Sequence, residues 1–209
     1  DMSLRVVNLG LPKTGTTTLA RALKMAGFKV ADHRVRPKQT TVKSLHNQYV
    51  AELLYRGYFE TGDPGAHLDP FECVTEISLL REGKSLWPQM DFGLIEAIRA
   101  HHPGVKFLAS NRDPFQLSQS MLAWSDLGVA RLPQAAIPGL PEGYGETTKQ
   151  REQWISAHYA HLRAIFAGRD DFLEYDVADA DARDRISTFL GVPLPWWGRV
   201  NSNSNKKAS

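Results

Sequence analysis

The tightest constraint on this chain is the run from Leu4 to Leu23, where a strand, a glycine turn and a helix follow one another almost without spacers. Val6-Val7-Asn8-Leu9 is a short, largely apolar run rich in β-branched residues, the pattern of a buried strand. Gly10, Pro12 and Gly15 then make a tight turn. Leu19, Ala22, Leu23 and Ala26 recur at helical spacing, and Gly27 supplies a C-terminal stop. Such a unit converges backbone N–H groups on an anion at the positive end of the helix.

The residues inside the turn narrow the ligand. A nucleoside-triphosphate loop would read G-x-x-x-x-G-K-[ST], with the lysine on the β/γ-phosphates and the hydroxyl on Mg²⁺. Here the frame Gly10-x-x-x-x-Gly15 is kept, but Thr16 and Thr17 follow it, and the lysine stands earlier, at Lys13. The turn retains its anion cradle while its cation lies on the approach side. That arrangement suits a short, singly bridged phosphate group better than a metal-chelated triphosphate.

Pro12-Lys13-Thr14-Gly15-Thr16-Thr17 resembles the 5′-phosphosulfate loop of the sulfotransferases that use 3′-phosphoadenosine 5′-phosphosulfate (PAPS). The resemblance implies PAPS as co-substrate and PAP as product, without a metal. It assigns donor binding to Pro12, Lys13, Thr14, Gly15, Thr16, Thr17 and Thr18, with Lys13 also catalytic.

Further along, Val105 to Ser110 is a strand that runs into Asn111-Arg112-Asp113-Pro114. Asp113 as N-cap with Pro114 at the first helical position predicts a helix start, and Leu117, Met121 and Trp124 give that helix an apolar face. A strand, then Arg112, then Ser120 eight residues on resembles the family's 3′-phosphate segment. Arg112 offers a planar fork for a phosphate, and Ser120 adds a hydroxyl from the same side. Ser118 is the alternative serine.

The remaining elements follow in order. Phe28–Ala31 is a short strand, followed by a polar run bearing His33, Arg34, Arg36 and Lys38, either a solvated loop or the path of an anionic substrate. Val42, Leu45, Tyr49, Leu53 and Leu54 predict an amphipathic helix ending near Gly57, with a loop over 58–70. Phe71–Ile77 is a strand with Glu76 near its carboxyl end, where ligands gather in open α/β sheets. A carboxylate there is placed as general base, and the family resemblance, which includes members with a catalytic glutamate and others with histidine, supports that position. His67 and Asp91 are the other candidates, although Asp91 also reads as the N-cap of a helix through Ile98.

Residues 129–146 are rich in Pro and Gly and are expected to be an insertion, either a substrate-side lid or passive surface. A helix over 147–167 follows; its His158 and His161 lack further ligands for a metal site. Asp171–Asp176 is the last strand and Asp179–Leu190 the last helix. By resemblance Tyr175 contacts adenine, and a basic residue of the tail 193–209 (Arg199, Lys206 or Lys207) closes the 3′-phosphate site.

Composition excludes several alternatives. With 25 Lys+Arg against 23 Asp+Glu and no long basic run, neither nucleic acid nor an anionic membrane is an expected partner. Cys73 is the single cysteine, so no intramolecular disulfide is possible. No apolar span reaches the roughly 18 residues of a membrane crossing, and a cytoplasmic protein is expected. The expected fold is α/β: residues 1–209 as one P-loop-type domain, a parallel β-sheet flanked by helices on both faces. The expected activity is sulfuryl transfer from PAPS to a hydroxyl or amine of a small-molecule or glycan acceptor. A small-molecule P-loop kinase and a non-catalytic PAP-binding module are the rival readings.

Overall fold

The computed structural model describes residues 3–81, 83–122 and 136–198. Strands β1 (Val6–Asn8), β2 (Val30–Ala31), β3 (Cys73–Val74), β4 (Leu79–Arg81), β5 (Lys84–Leu86), β6 (Lys106–Asn111) and β7 (Phe172–Asp176) alternate with helices α1 (Thr16–Met25), α2 (Val50–Thr61), α3 (Phe92–His101), α4 (Pro114–Leu122), α5 (Thr148–Ile165) and α6 (Ala182–Leu190). Five strands form one sheet in the order β2-β3-β1-β6-β7, and every pairing in it is parallel. The β4–β5 pair is a separate antiparallel hairpin.

Alternation along the strands feeds two cores. Val7, Ala31, Val74, Phe107 and Ala109 pack with buried residues of α2, α3, α4 and α5, among them Leu53, Ile95, Leu117 and Tyr159. Their neighbours Val6, Val30, Cys73, Leu108 and Tyr175 pack on the opposite side with Leu19 and Leu23 of α1 and Ala182 and Ile186 of α6. Helices therefore cover both faces, as a parallel sheet requires. Cys73 is fully buried, and burial pushes its thiol pKa upward, which makes it inert.

The order of the strands creates the crevice. The chain leaves β1 toward β2 on one side, while the chain leaving β6 crosses to β7 on the other. The two connections diverge above the carboxyl ends of β1 and β6, the place where open α/β sheets bind ligands.

Several elements differ from the sequence expectation. The helix expected from Val42 is a single 3₁₀ turn, Lys43–Leu45, and α2 begins only at Val50. Asn47 takes a positive φ of 64°, and the backbone here bonds sideways: Val35 N–H to Gln48, Asn47 N–H to Val35, and Val50 N–H to His33. These lateral bonds replace the helical ones.

Helix α2 also runs past Gly57 to Thr61, ending at the left-handed Gly62. Gly57 is inside the helix because the chain returns across it: a Cβ there would lie 2.4 Å from the Asp63 carbonyl oxygen. The strand expected over 71–77 shortens to β3, and the β4–β5 hairpin appears where no element was expected. Trp124 and the first part of the 129–146 insertion lie outside the described residues. The described remainder of that insertion packs on the core through Ile137 and Leu140, and the Trp154 indole N–H donates to the Pro138 carbonyl at 2.8 Å. Among the described residues, no helix is long and apolar enough to cross a membrane.

Gly57→Ala sets helix propensity against packing. Alanine gains up to about 1 kcal/mol in a helix interior, but overpacking against backbone costs roughly 1–3 kcal/mol. The expected outcome in urea unfolding is a net destabilisation of roughly 1–2 kcal/mol; a raised midpoint would show that the 62–65 turn can retreat.

Candidate anion site at the carboxyl edge of the sheet

The floor of the crevice is polar and closed. Asn8, fully buried at the end of β1, accepts from the Gly10 and Ser110 N–H groups, both at 3.1 Å. Its amide donates to the Thr75 carbonyl at 2.8 Å and the Ser110 hydroxyl at 2.9 Å. One carboxamide thus ties the ends of β1, β3 and β6. Gly10 lies hard against Ser110, where a Cβ would fall 2.2 Å from the hydroxyl oxygen, so only glycine fits.

The turn above is held from beneath. The Thr14 hydroxyl donates to the Leu11 carbonyl at 2.6 Å and lies 2.6 Å from the Ser110 hydroxyl. The Tyr159 hydroxyl accepts from Leu11 N–H at 3.1 Å and donates to the Ser110 carbonyl at 2.6 Å. His158 donates from Nε2 to the Leu9 carbonyl at 2.8 Å. Gln89, also fully buried, reaches toward the Gly10 carbonyl at 3.5 Å.

With its underside satisfied, the turn presents its open groups outward. Lys13 is exposed at φ 67° and Gly15 caps α1 at φ 80°, both left-handed. Among the described residues, the N–H groups of Gly15, Thr16 and Thr17 and the hydroxyls of Thr16 and Thr17 have no hydrogen-bond partner. The first turn of α1 carries no acidic side chain to neutralise them. An anion would supply what is missing there. Thr18 is nearly buried in the same turn and is not free.

Across the crevice, Asp113 caps α4 by accepting from Gln116 N–H at 3.0 Å. This sets Arg112 between strand and helix, where its Nη1 donates to the Ser120 hydroxyl at 2.7 Å and lies 3.4 Å from the Lys13 carbonyl. Arg112, Ser120 and the Lys13 turn are therefore neighbours. Among the described residues, neither Lys13 nor Arg112 has a carboxylate partner. Ser118 is buried and taken: Arg151 Nε donates to it at 2.9 Å. The remaining Arg151 donors go to the Gly145 and Glu146 carbonyls and the Thr148 hydroxyl, which pins the 145–148 segment to α4.

The other candidates occupy varied places. Glu76 lies two residues beyond β3, where Ser78 donates to its Oε1 from N–H at 2.8 Å and from its hydroxyl at 2.6 Å. His33 Nδ1 stands 3.0 Å from Glu76 Oε2. Asp91 serves as the N-cap of α3, accepting from Leu94 N–H at 3.2 Å, and its second oxygen accepts from Tyr55 at 2.9 Å. His67 bonds Glu60 at 2.8 Å, and nearby Gly65 packs against His102 and Leu4 at the amino end of the sheet, opposite the turn. Tyr175 is 1% exposed and packs beside Trp197, so its ring has no open face. Arg199, Lys206 and Lys207 lie outside the described residues.

Asn8, Ser110 and Tyr159 were not singled out from sequence as parts of the site, and His158 was weighed only as a metal ligand, although a polar residue in the run Val-Val-Asn-Leu was a visible signal for the first. Among the described residues, no group of three His, Cys, Asp or Glu side chains is placed to hold a metal ion. Compared with known protein families and with curated proteins, the chain matches none.

His158 gives the site a pH signature. Burial holds its pKa down to about 4, below the ordinary 6.5, so the folded ring is neutral. The unfolded chain binds the extra proton between these values. The contribution to stability is complete above about pH 6.5 and falls away toward pH 4, at up to about 1.4 kcal/mol per pH unit. His158→Gln keeps an N–H donor for Leu9 and should flatten this slope in unfolding measured from pH 4 to 7; an unchanged slope would place the titration elsewhere.

Proposed function

We propose that the chain binds PAPS across the β1/β6 crevice and transfers its sulfuryl group to a hydroxyl or amine of a small-molecule or glycan acceptor, as a P-loop-type sulfotransferase. The observation that carries this reading is a pair of neighbouring cationic groups without carboxylate partners among the described residues, one after each of two adjacent strands. The first combines the N–H groups of Gly15, Thr16 and Thr17 with Lys13; the second combines Arg112 with Ser120. One cradle would suit any phosphate. Two, set after adjacent strands, suit a ligand that carries two phosphate groups, as PAPS does at its 5′ and 3′ positions.

PAPS supplies an activated sulfur–oxygen bond, so the protein has to position and neutralise. Lys13 and the turn N–H groups would hold the charge that grows on the departing 5′-phosphate oxygen, and losing that cation would raise the barrier by ~3–4 kcal/mol. Arg112, directed by Ser120, would read the 3′-phosphate. The cluster around Glu76 lies beyond β3, on the side of the turn away from Arg112, and would face the acceptor.

Calorimetric titration of PAP tests the donor site. PAP should bind equally well with and without EDTA, and a Mg²⁺-dependent preference for ATP would defeat the reading. Arg112→Ala should weaken PAP by roughly 10–100-fold, the equivalent of one lost charge-assisted contact. Adenosine 5′-phosphosulfate, which lacks the 3′-phosphate, should lose little. Equal losses for both ligands would show that Arg112 reads something other than the 3′-phosphate.

A further inference from the structure

Beyond the carboxyl ends of β2 and β3 stands a second polar cluster, separate from the two anion cradles. His33 takes a left-handed backbone, φ 66°, which is uncommon for a residue with a side chain and concentrates at functional sites. The tight return of the chain fixes it there: His33 N–H donates to the Glu76 carbonyl at 2.9 Å, and Val50 N–H donates to the His33 carbonyl at 2.9 Å. Its ring meets Tyr49 edge to face at 5.3 Å.

The hydrogen bonds decide the tautomer. His33 Nδ1 lies 3.0 Å from Glu76 Oε2 and 3.2 Å from the Ser78 carbonyl oxygen. Both neighbours only accept, so Nδ1 carries the proton and the neutral ring keeps its lone pair on Nε2. Among the described residues Nε2 has no partner, and the His33 side chain is 39% exposed. Glu76 is the reverse case. Its side chain is 13% exposed, and its oxygens already take the Ser78 N–H, the Ser78 hydroxyl and His33. A substrate proton meets Nε2 before it meets the carboxylate.

We propose that His33 Nε2, and not Glu76, takes the proton from the acceptor, with Glu76 acting as the positioning residue that fixes the ring. This rests on the sulfuryl-transfer reading above. In the step, the acceptor O–H or N–H bond breaks and its proton passes to Nε2. The acceptor atom forms the new bond to sulfur as the bond from sulfur to the 5′-phosphate oxygen breaks, and that electron pair leaves on PAP. His33 follows β2, two strand spacings or about 10 Å from the line of β1, and the acceptor would lie between the ring and the turn.

The two carboxylates nearest the ring agree in sign with this role. Glu76 from the β3 side and Asp32 beside it both favour the imidazolium that forms, and they hold the His33 pKa above its ordinary value. Asp32 accepts from the Thr75 hydroxyl at 2.8 Å and lies within the field of Lys24, while Arg81 of β4 stacks on Tyr49, on which the ring rests.

The test pairs His33→Asn, chosen because asparagine tolerates the left-handed backbone, with Glu76→Gln. PAP affinity, measured first, should be that of the wild type in both variants; a wild-type protein that binds no PAP defeats the donor-site reading whatever His33 does. Long-range ¹H–¹⁵N NMR of the histidine rings should find His33 protonated on Nδ1, with its pKa falling in Glu76→Gln. Turnover of ³⁵S-labelled PAPS against a panel of hydroxyl and amine compounds should fall ~10²–10⁴-fold in His33→Asn and lose its acidic limb. In Glu76→Gln the limb should persist and move to lower pH. An Nε2–H tautomer, or a limb that survives in His33→Asn and vanishes in Glu76→Gln, overturns the assignment while leaving the donor site intact.

Discussion

One buried carboxamide underlies the geometry of the site. Asn8 ends the central strand, and its four hydrogen bonds hold the Gly10 turn, the Thr75 carbonyl and both polar ends of Ser110. A buried amide with every donor and acceptor satisfied is rigid, because any rotation would leave a polar group unpaired at about 1–3 kcal/mol. The glycine turn, the neighbouring strand that leads to Glu76, and the strand that leads to Arg112 are thereby referred to one fixed point. The two cradles and the His33–Glu76 pair keep their spacing because they share this anchor.

Around that anchor the protein separates satisfied from unsatisfied groups. Below the turn, Thr14, Tyr159 and His158 hold the backbone with neutral hydrogen bonds. Above it, the N–H groups of Gly15 through Thr17 are left without partners, and two cations stand without carboxylates among the described residues. Helix dipole, backbone donors and side-chain charge all favour one kind of guest, an anion. The buried guanidinium of Arg151 extends the frame: held by neutral acceptors, it locks α4 to the start of α5 and so steadies the helix that carries Ser120.

The parts legible from sequence are those in which local chemistry and tertiary structure agree. Asp113-Pro114 marks a helix start by capping alone, and α4 begins at Pro114. Val6-Val7 and Phe107-Leu108 are apolar runs that only a sheet covered on both faces would bury. The failures are places where distant contacts decide. The helical spacing from Val42 to Leu54 is real, but residues 47–49 pair with Val35 and Arg34 instead, which no window of sequence reveals. Gly57 looked like a helix end because its need is steric and arises from Asp63. His33 was visible only as one more basic residue in a polar run; its tautomer depends on Glu76 and Ser78, more than forty positions away.

Two of the supports of the turn lie far from it along the chain. Leu9 and Leu11 are held by His158 and Tyr159, at separations of 149 and 148 residues. A motif that reads as local is therefore completed by contacts of very high order, and such contacts form late because the loop they close must first lose its freedom. During synthesis the glycine turn emerges before α5, and its underside stays open until α5 has docked. The turn is organised only once α5 has docked, so an anion bound there would meet the finished fold and give little help to the intermediates that precede it.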